Sequence, residues 1–159
     1  MKQINKYIVE RLHINKDTGN HYYNYHPKTR DELKELVDQL IEKRGNEANL
    51  NDIDTSEITD MSYIFSYSSF NGDISEWDVS KVEDMSYMFC YSEFNGDISN
   101  WDVSNVEDMD FMFSESKFTG ENGDISKWDV SNVKNMKYMF YDTPLYKNPP
   151  KWYKLINLL

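Results

Sequence analysis

The amino-acid sequence predicts an α/β repeat protein, a solenoid in which each repeat adds one short parallel strand and one short helical turn. Residues 70–94, FNGDISEWDVSKVEDMSYMFCYSEF, recur almost unchanged 24 residues later. A third copy follows, and the tryptophans Trp77, Trp101 and Trp128 mark equivalent positions at steps of 24 and 27 residues. A weaker copy precedes these three and a partial copy follows them. Self-similarity at a fixed period of this length is typical of stacked-repeat proteins.

Residues 1–49 are predicted to form an N-terminal cap that consists of a β-hairpin and an amphipathic helix. The apolar run at residues 4–14, the turn-rich residues 15–20 and the aromatic run after them favour the hairpin. Residues 27–44 carry the helix pattern, with Thr29 as a candidate N-cap and an apolar stripe at helical spacing. We expect this stripe to cover the first repeat; the alternative is that it binds a partner.

Residues 50–143 are predicted to form about four repeats. In each repeat an isoleucine alternates with polar neighbours, which favours a short strand, and apolar residues three to four positions apart then favour a helical turn. The predicted strands lie near Ile74, Ile98 and Ile125, and the predicted helical turns near Met88, Met112 and Met139. The conserved spacing of the tryptophans and methionines predicts that these side chains fill the core.

Residues 144–159 are predicted to form a C-terminal cap. Pro149 takes the place of the strand isoleucine and Pro150 follows it, and neither can donate a ladder hydrogen bond. The sequence KWYKLINLL after them predicts a short helix that closes this end of the stack.

The charge distribution is strongly uneven along the chain. The net charge is −11, and residues 50–143 alone hold 20 acidic and 5 basic residues. Such a field disfavours nucleic acid and anionic membranes and favours a partner with a basic surface. No segment is long and apolar enough to suggest a transmembrane span or a signal peptide, so a cytoplasmic monomer is expected.

Two sets of side chains are candidates for contact with a partner. The first set flanks the predicted strands, where an acidic column with variable neighbours should face outward. Its members are Asp73, Ser75, Glu76, Asp97, Ser99, Asn100, Asp124, Ser126 and Lys127. The second set is an aromatic column on the helical side: Tyr63, Tyr87, Phe111 and Tyr138. The alternative for the aspartates is that they only cap turns.

No residue set in the sequence predicts catalysis, a cofactor or a resident metal. The single cysteine, Cys90, occupies a repeat position and is expected to be a small core residue. His13, His21 and His26 lack the partners of a metal site, and solvated or packed histidines are favoured. Calcium between the repeated N-G-D turns is the weaker alternative, because each repeat offers only one or two ligands.

The unit F-N-G-D-I-S-x-W-D-V-S-x-V-x-x-M-x-x-M-F resembles the repeat of the BspA-like leucine-rich repeat proteins, a group of bacterial surface proteins and mycoplasmal lipoproteins. The motif matches at residues 70–89, 94–113 and 122–140, and in degenerate form at residues 50–65. The resemblance implies a leucine-rich-repeat-like solenoid that binds proteins and carries no catalytic residues. The chain lacks the secretion signal and the lipid-attachment cysteine that the surface members of this group carry.

The expected function is therefore a non-catalytic protein–protein interaction module that uses an acidic repeat surface. The alternative is an acidic decoy, encoded by a bacterium or a phage, that occupies the nucleic-acid channel of another protein. The salt dependence of binding would separate these two functions, since binding by a decoy is more strongly screened.

Overall fold

The computed structural model describes residues 23–156 of the 159-residue chain. Helix α1 spans Arg30–Arg44 and helix α2 spans Lys151–Ile156. Two short 3₁₀ helices, Ile125–Lys127 and Pro144–Lys147, lie between them. The described residues contain no extended strand, only isolated parallel β-bridges. Four of these bridges join successive repeats, and one joins Tyr25, before α1, to Ile53.

The predicted α/β solenoid of leucine-rich-repeat type is therefore wrong. The segments at Ile74 and Ile98 are turns, and Ile125 begins a 3₁₀ helix instead of a strand. The predicted helical turns near Met88, Met112 and Met139 are also hydrogen-bonded turns rather than helices.

Local side-chain bonds explain why no strand forms. The Asp73 carboxylate accepts hydrogen bonds from the Ser75 backbone N–H, at 3.0 Å, and from its hydroxyl, at 2.7 Å. Such a turn uses the N–H group that a sheet ladder would need. Because each of the three clean repeats carries this Asp-x-Ser pattern, the alternation around its isoleucine does not extend into a strand.

Successive repeats are joined by several backbone hydrogen bonds at equivalent positions. The Met61 N–H donates to the Asp84 carbonyl at 2.8 Å, and the Met85 N–H donates to the Asp108 carbonyl at 2.9 Å. The Met109 N–H donates in turn to the carbonyl of Asn135 at 2.8 Å. The repeats consequently contact each other in register although no sheet is present.

The core consists of rows of identical side chains from successive repeats. One row of parallel phenylalanine rings has centroids 5.4–5.8 Å apart and contains Phe65, Phe89, Phe113 and Phe140. The indole N–H of Trp101 donates to the Ile74 carbonyl of the preceding repeat at 3.3 Å. Trp101 is only 4% exposed. The prediction that tryptophan and methionine positions fill the core is confirmed, because all of these positions in the three clean repeats are buried.

The glycine of the N-G-D turn is required by the close approach of neighbouring repeats. A Cβ atom on Gly72 would lie 2.0 Å from the Ala48 carbonyl oxygen. A Cβ atom on Gly123 would lie 2.3 Å from a carboxylate oxygen of Asp97. The close packing of neighbouring repeats therefore accounts for the glycine in this turn.

Helix α1 covers the first repeat, as its apolar stripe predicts. The Thr29 hydroxyl accepts a hydrogen bond from the Glu32 N–H at 3.3 Å, and the helix ends at Gly45, whose φ is 90°. Leu33, Leu36, Val37 and Leu40 are buried in the same core as the repeats. Most of the predicted hairpin, including residues 4–20, lies outside the described residues.

The C-terminal segment packs on the last repeat. The Trp152 indole N–H donates to the Ile125 carbonyl at 3.0 Å, which repeats the bond that Trp101 makes. The Tyr153 ring meets the Phe140 ring edge-on, with centroids 5.0 Å apart. The predicted short C-terminal helix is thus present as α2, although its last predicted residues lie outside the described part. No helix within residues 23–156 combines the length and the apolar sequence of a transmembrane span.

Candidate partner-binding surface

The aspartate column consists of Asp73, Asp97 and Asp124, and all three residues are exposed. Each carboxylate accepts a hydrogen bond from the backbone N–H of the serine two residues later, at 2.9–3.0 Å. Each also accepts a bond from that serine's hydroxyl, at 2.7–2.9 Å. The aspartates are therefore turn-capping groups that also present negative charge to solvent.

The hydrogen bonds of these turns favour the ionised carboxylates. The backbone N–H and hydroxyl of Ser126 lower the pKa of Asp124 below its ordinary value. Partial burial raises the pKa of Asp73, but the bonds from Ser75 outweigh it and the net shift is downward. The turn bonds therefore stabilise the ionised forms of Asp73 and Asp124.

The residues beside the aspartate column change sign along the stack. Glu76, Asn100 and Lys127 occupy equivalent positions and are all exposed. The surface therefore passes from negative through neutral to positive at this position. It does not present one uniform acidic column beside the aspartates.

The first aromatic column consists of Tyr63, Tyr87, Phe111 and Tyr138, the four aromatic residues that the sequence singles out. Successive ring centroids lie 4.7, 4.8 and 5.1 Å apart. The end residues Tyr63 and Tyr138 are 43% and 58% exposed, and the two inner rings are half-buried. The structure thus brings all four together as one continuous stack at the surface.

A second column, which the sequence analysis missed, runs beside the first. It contains the residues four positions after each member of the first: Tyr67, Tyr91, Glu115 and Asp142. The Tyr67 and Tyr91 rings stack with centroids 4.7 Å apart, and the Tyr91 hydroxyl donates to the Glu115 carboxylate. Tyr67 is 76% exposed. The constant spacing of four residues from the first column could have revealed this second column. The change from tyrosine to an acidic residue along the column makes the repetition hard to recognise.

The first column and the first three residues of the second column form the walls of an aromatic groove of about 570 Å³. Its floor consists of the small residues Ser66, Cys90 and Ser114, and Tyr141 takes their place in the last repeat. Burial raises the pKa of the Cys90 thiol, and the charge of Glu115 adds to this shift. Cys90 is therefore a buried thiol in the floor, in agreement with its predicted role as a small filler.

The hydrogen bond between Tyr91 and Glu115 changes the pKa of the Tyr91 hydroxyl. Glu115 accepts a hydrogen bond from the Tyr91 hydroxyl, and this bond raises the pKa of Tyr91 to about 12. Tyr91 consequently remains a neutral donor at physiological pH. Glu115 is the one carboxylate among the groove-lining residues, which include no lysine or arginine in the described chain.

The backbone of both walls adopts a conformation that is costly for these side chains. Within residues 23–156, every non-glycine residue with positive φ belongs to the two columns, with φ between 50° and 61°. They are Tyr63, Tyr67, Tyr87, Tyr91, Phe111, Glu115, Tyr138 and Asp142. The left-handed region normally favours glycine or asparagine, and it costs other residues about 1–2 kcal/mol each. Six of the eight positions nevertheless carry aromatic side chains.

The described histidine is part of a structural contact. The Nδ1 atom of His26 lies 3.0 Å from the Asp54 carboxylate. His13 and His21 lie outside the described residues. Within residues 23–156, no group of three or more His, Cys, Asp or Glu side chains is arranged to hold a metal ion.

Comparison with protein families gives a match over residues 32–153 to the family described as "Mycoplasma protein of unknown function, DUF285". This chain belongs to that family. The matched region begins in α1 and ends in α2, so it contains every repeat and the whole aromatic groove. Comparisons with the curated proteins and with the solved structures give no match.

Membership of this family assigns no activity, because its description states that the function is unknown. The groove and the aspartate column both lie within the region that defines the family. Their geometry is therefore the basis on which a function can be proposed.

Proposed function

We propose that this chain is a non-catalytic module that binds a protein partner through the aromatic groove. One observation carries the proposal: the exposed large hydrophobic side chains of residues 23–156 cluster at one place. Five of the six, Tyr63, Tyr67, Tyr91, Tyr138 and Tyr141, line the groove. The sixth, Tyr146, contacts Tyr141 edge-on. A clustered exposed apolar patch is typical of an interaction site, and tyrosine is enriched at interfaces.

The backbone of the groove walls supports the same proposal. Aromatic residues at positive φ destabilise the fold relative to asparagine or glycine at the same positions. Strained backbone of this kind concentrates where a side chain serves a function. If these side chains had no role beyond covering the surface, asparagine or glycine would suit the same backbone positions better than tyrosine.

The acidic surface complements this role by favouring basic partners. The net charge of −11 sets up a field that accelerates encounter with positively charged proteins and repels nucleic acid. The repeat motif resembles that of BspA-like surface proteins, a group associated with protein binding, and this resemblance also supports a binding role. We expect no cofactor to be needed for it.

The second candidate function is an acidic decoy of a nucleic-acid-binding protein. The observation that favours it is the repeated aspartates at Asp73, Asp97 and Asp124, which are exposed on the stack. A partner held in this way would contact carboxylates spread over several repeats, and its binding would weaken steeply with salt.

Affinity capture from the source organism, with three variants, tests the two functions. The groove variant carries Tyr67→Asn and Tyr138→Asn, because asparagine tolerates positive φ and should preserve the fold. The acidic-surface variant carries Asp73→Asn, Asp97→Asn and Asp124→Asn. The matched control is Tyr146→Asn, an exposed tyrosine that does not line the groove.

We expect wild type, the control and the acidic-surface variant to retain the same partner in about 0.1 M and about 1 M salt. The groove variant should lose that partner. Loss in the acidic-surface variant alone, together with loss in high salt, would favour the decoy instead. Equal recovery by all four proteins would exclude both surfaces.

A further inference from the structure

We propose that the groove accepts a proline-rich segment in the polyproline II conformation, with an arginine at the end that meets Glu115. The proposal rests on the binding role proposed above and specifies the chemistry of the partner at the groove. Three features carry it: the spacing of the wall residues, the surface that those residues present, and the change of charge along the second column.

The spacing of the rings matches a polyproline II helix. Successive rings of the first column lie 4.7 and 4.8 Å apart, so alternate rings are separated by roughly 9.5 Å. A polyproline II helix repeats after three residues, which is about 9.3 Å. Residues on one face of a β-strand repeat at about 6.7 Å, a distance that falls between one and two ring spacings. Residues i and i+3 of a proline-rich segment would therefore contact equivalent sites on alternate repeats.

The walls present ring edges rather than ring faces. The rings of Tyr63 and Tyr87 are parallel to within 5°, and those of Tyr67 and Tyr91 to within 9°. Because the faces cover one another, the surfaces that remain for a ligand are the edges and the hydroxyl groups. Sugar rings and cations generally bind to aromatic faces, so this arrangement disfavours both as the main ligand of the walls.

The floor of the groove leaves room for pyrrolidine rings. Ser66, Cys90 and Ser114 are small, and they lie between walls that consist of large side chains. Aromatic-lined grooves of this kind are the usual binding sites for proline-rich segments. The backbone carbonyls of a polyproline II segment make no internal hydrogen bonds, so they are available to tyrosine hydroxyl donors. Such a segment also loses little conformational entropy on binding.

The second column gives the groove a direction. Its groove-lining members are Tyr67, Tyr91 and Glu115 in that order, so a carboxylate stands at one end. An arginine fits the acidic end because its planar guanidinium can bond a carboxylate through two N–H groups. The described groove-lining residues include no lysine or arginine, so the positive charge that pairs with Glu115 has to come from the ligand.

Fluorescence polarisation with defined peptides tests the proposal. The probe is a fluorescein-labelled decapeptide with two Pro-x-x-Pro units followed by arginine. One comparison peptide has the same composition with the prolines moved out of the i, i+3 spacing, and a second has glutamate in place of arginine. The proteins are wild type, the Tyr67→Asn/Tyr138→Asn variant, Tyr146→Asn and Glu115→Gln.

We expect saturable binding of the probe to wild type and to Tyr146→Asn with similar dissociation constants. We expect the probe to bind the groove variant about tenfold or more weakly than it binds wild type. The peptide with displaced prolines should bind wild type more weakly than the probe by a similar factor. Glu115→Gln should reduce the preference for arginine over glutamate without abolishing binding of the proline units.

Two results would overturn the proposal: equal binding of the two proline arrangements, or no saturable binding of the probe up to about 1 mM. If affinity capture depends on the groove while the peptides do not bind, this inference is wrong and the proposed binding function stands. If the peptides bind but capture does not depend on the groove, the proposed function is the part that is contradicted.

Discussion

At Tyr67 the backbone and the side chain impose opposite demands on the choice of residue. The position has a φ of 56°, which favours asparagine or glycine, yet it carries a large ring that is 76% exposed. The ring gains a stacking contact with Tyr91, worth about 0.5–1.5 kcal/mol, which roughly offsets the backbone cost. Stability alone therefore does not require tyrosine here, whereas the proposed binding role would.

The first prediction compares two substitutions at this position. Tyr67→Asn should leave the free energy of unfolding within about 1 kcal/mol of wild type, because the relief of backbone strain offsets the lost ring contact. Tyr67→Val should be about 1–2 kcal/mol less stable than Tyr67→Asn, because a β-branched residue is strongly disfavoured at positive φ. Urea denaturation measures both values. Identical midpoints for the two variants would show that the backbone conformation at residue 67 is not strained.

The second prediction concerns alkaline pH and the bond between Tyr91 and Glu115. The pKa of Tyr91 is raised to about 12 in the folded chain, above its ordinary value of 10.0. This contribution to stability is fully present below pH 10, and it is lost as pH rises from 10 to 12, because the unfolded state releases the proton first. In Glu115→Gln, the pKa of Tyr91 should fall towards 10.

NMR titration of ring-labelled tyrosine measures this shift, with Tyr91→Phe used to assign the resonance. A Tyr91 resonance that titrates at the same pH in wild type and in Glu115→Gln would contradict the assigned bond.

The repeat is the element that periodicity predicted most accurately. Recurrence at the spacing of the predicted core face placed Trp77, Trp101, Val82 and Val106 inside the stack, and all four are buried. Helix α1 was also predicted correctly, because its cap and its apolar stripe are local signals.

The strands were predicted wrongly for a specific reason. The alternation in DISEW is compatible both with a strand and with an Asp-x-Ser turn, and the sequence does not show whether the Ser75 N–H bonds to a neighbouring strand or to the Asp73 carboxylate. Of the groove, the first aromatic column was predictable from the repeat. The second was not, because Glu115 and Asp142 interrupt its aromatic pattern. The positive φ was also not predictable, because these positions carry tyrosine instead of the glycine or asparagine that would indicate it.

The third prediction tests the packing between repeats. Trp101→Ala should lower the free energy of unfolding by about 3–5 kcal/mol, because it removes a buried indole that also bonds to Ile74 of the preceding repeat. Trp101→Phe should cost less, since it keeps part of the ring and loses the N–H donor. Chemical denaturation gives both values. A midpoint for Trp101→Ala equal to that of wild type would mean that this position does not hold two repeats together.

At the scale of the whole molecule, negative charge is repeated along the stack with few compensating cations. Residues 50–143 hold 20 acidic and 5 basic residues, and equivalent carboxylates lie on adjacent repeats. Like charges at this separation repel, and the repulsion acts against the folded state. The turn bonds to serine stabilise individual aspartates but do not remove their mutual repulsion.

The fourth prediction follows from this repulsion. Raising NaCl from about 0.02 M to about 0.5 M should raise the melting temperature, because the ions screen neighbouring carboxylates. The variant with Asp73, Asp97 and Asp124 changed to asparagine should show a smaller increase. Differential scanning calorimetry measures both shifts. An equal or larger increase in the variant would show that this column does not contribute to the repulsion.

Site-specific photo-crosslinking tests most directly the central claim, that the aromatic groove is the surface that holds a protein partner. A photoreactive phenylalanine derivative would replace Tyr67 in the groove wall in one protein and Asn100, beside the aspartate column, in another. Both residues are exposed, so the two positions are equally accessible to a partner. We expect one partner to be cross-linked from position 67 and not from position 100, with the yield unchanged in high salt. Cross-linking of the partner from position 100 and not from position 67 would contradict the account.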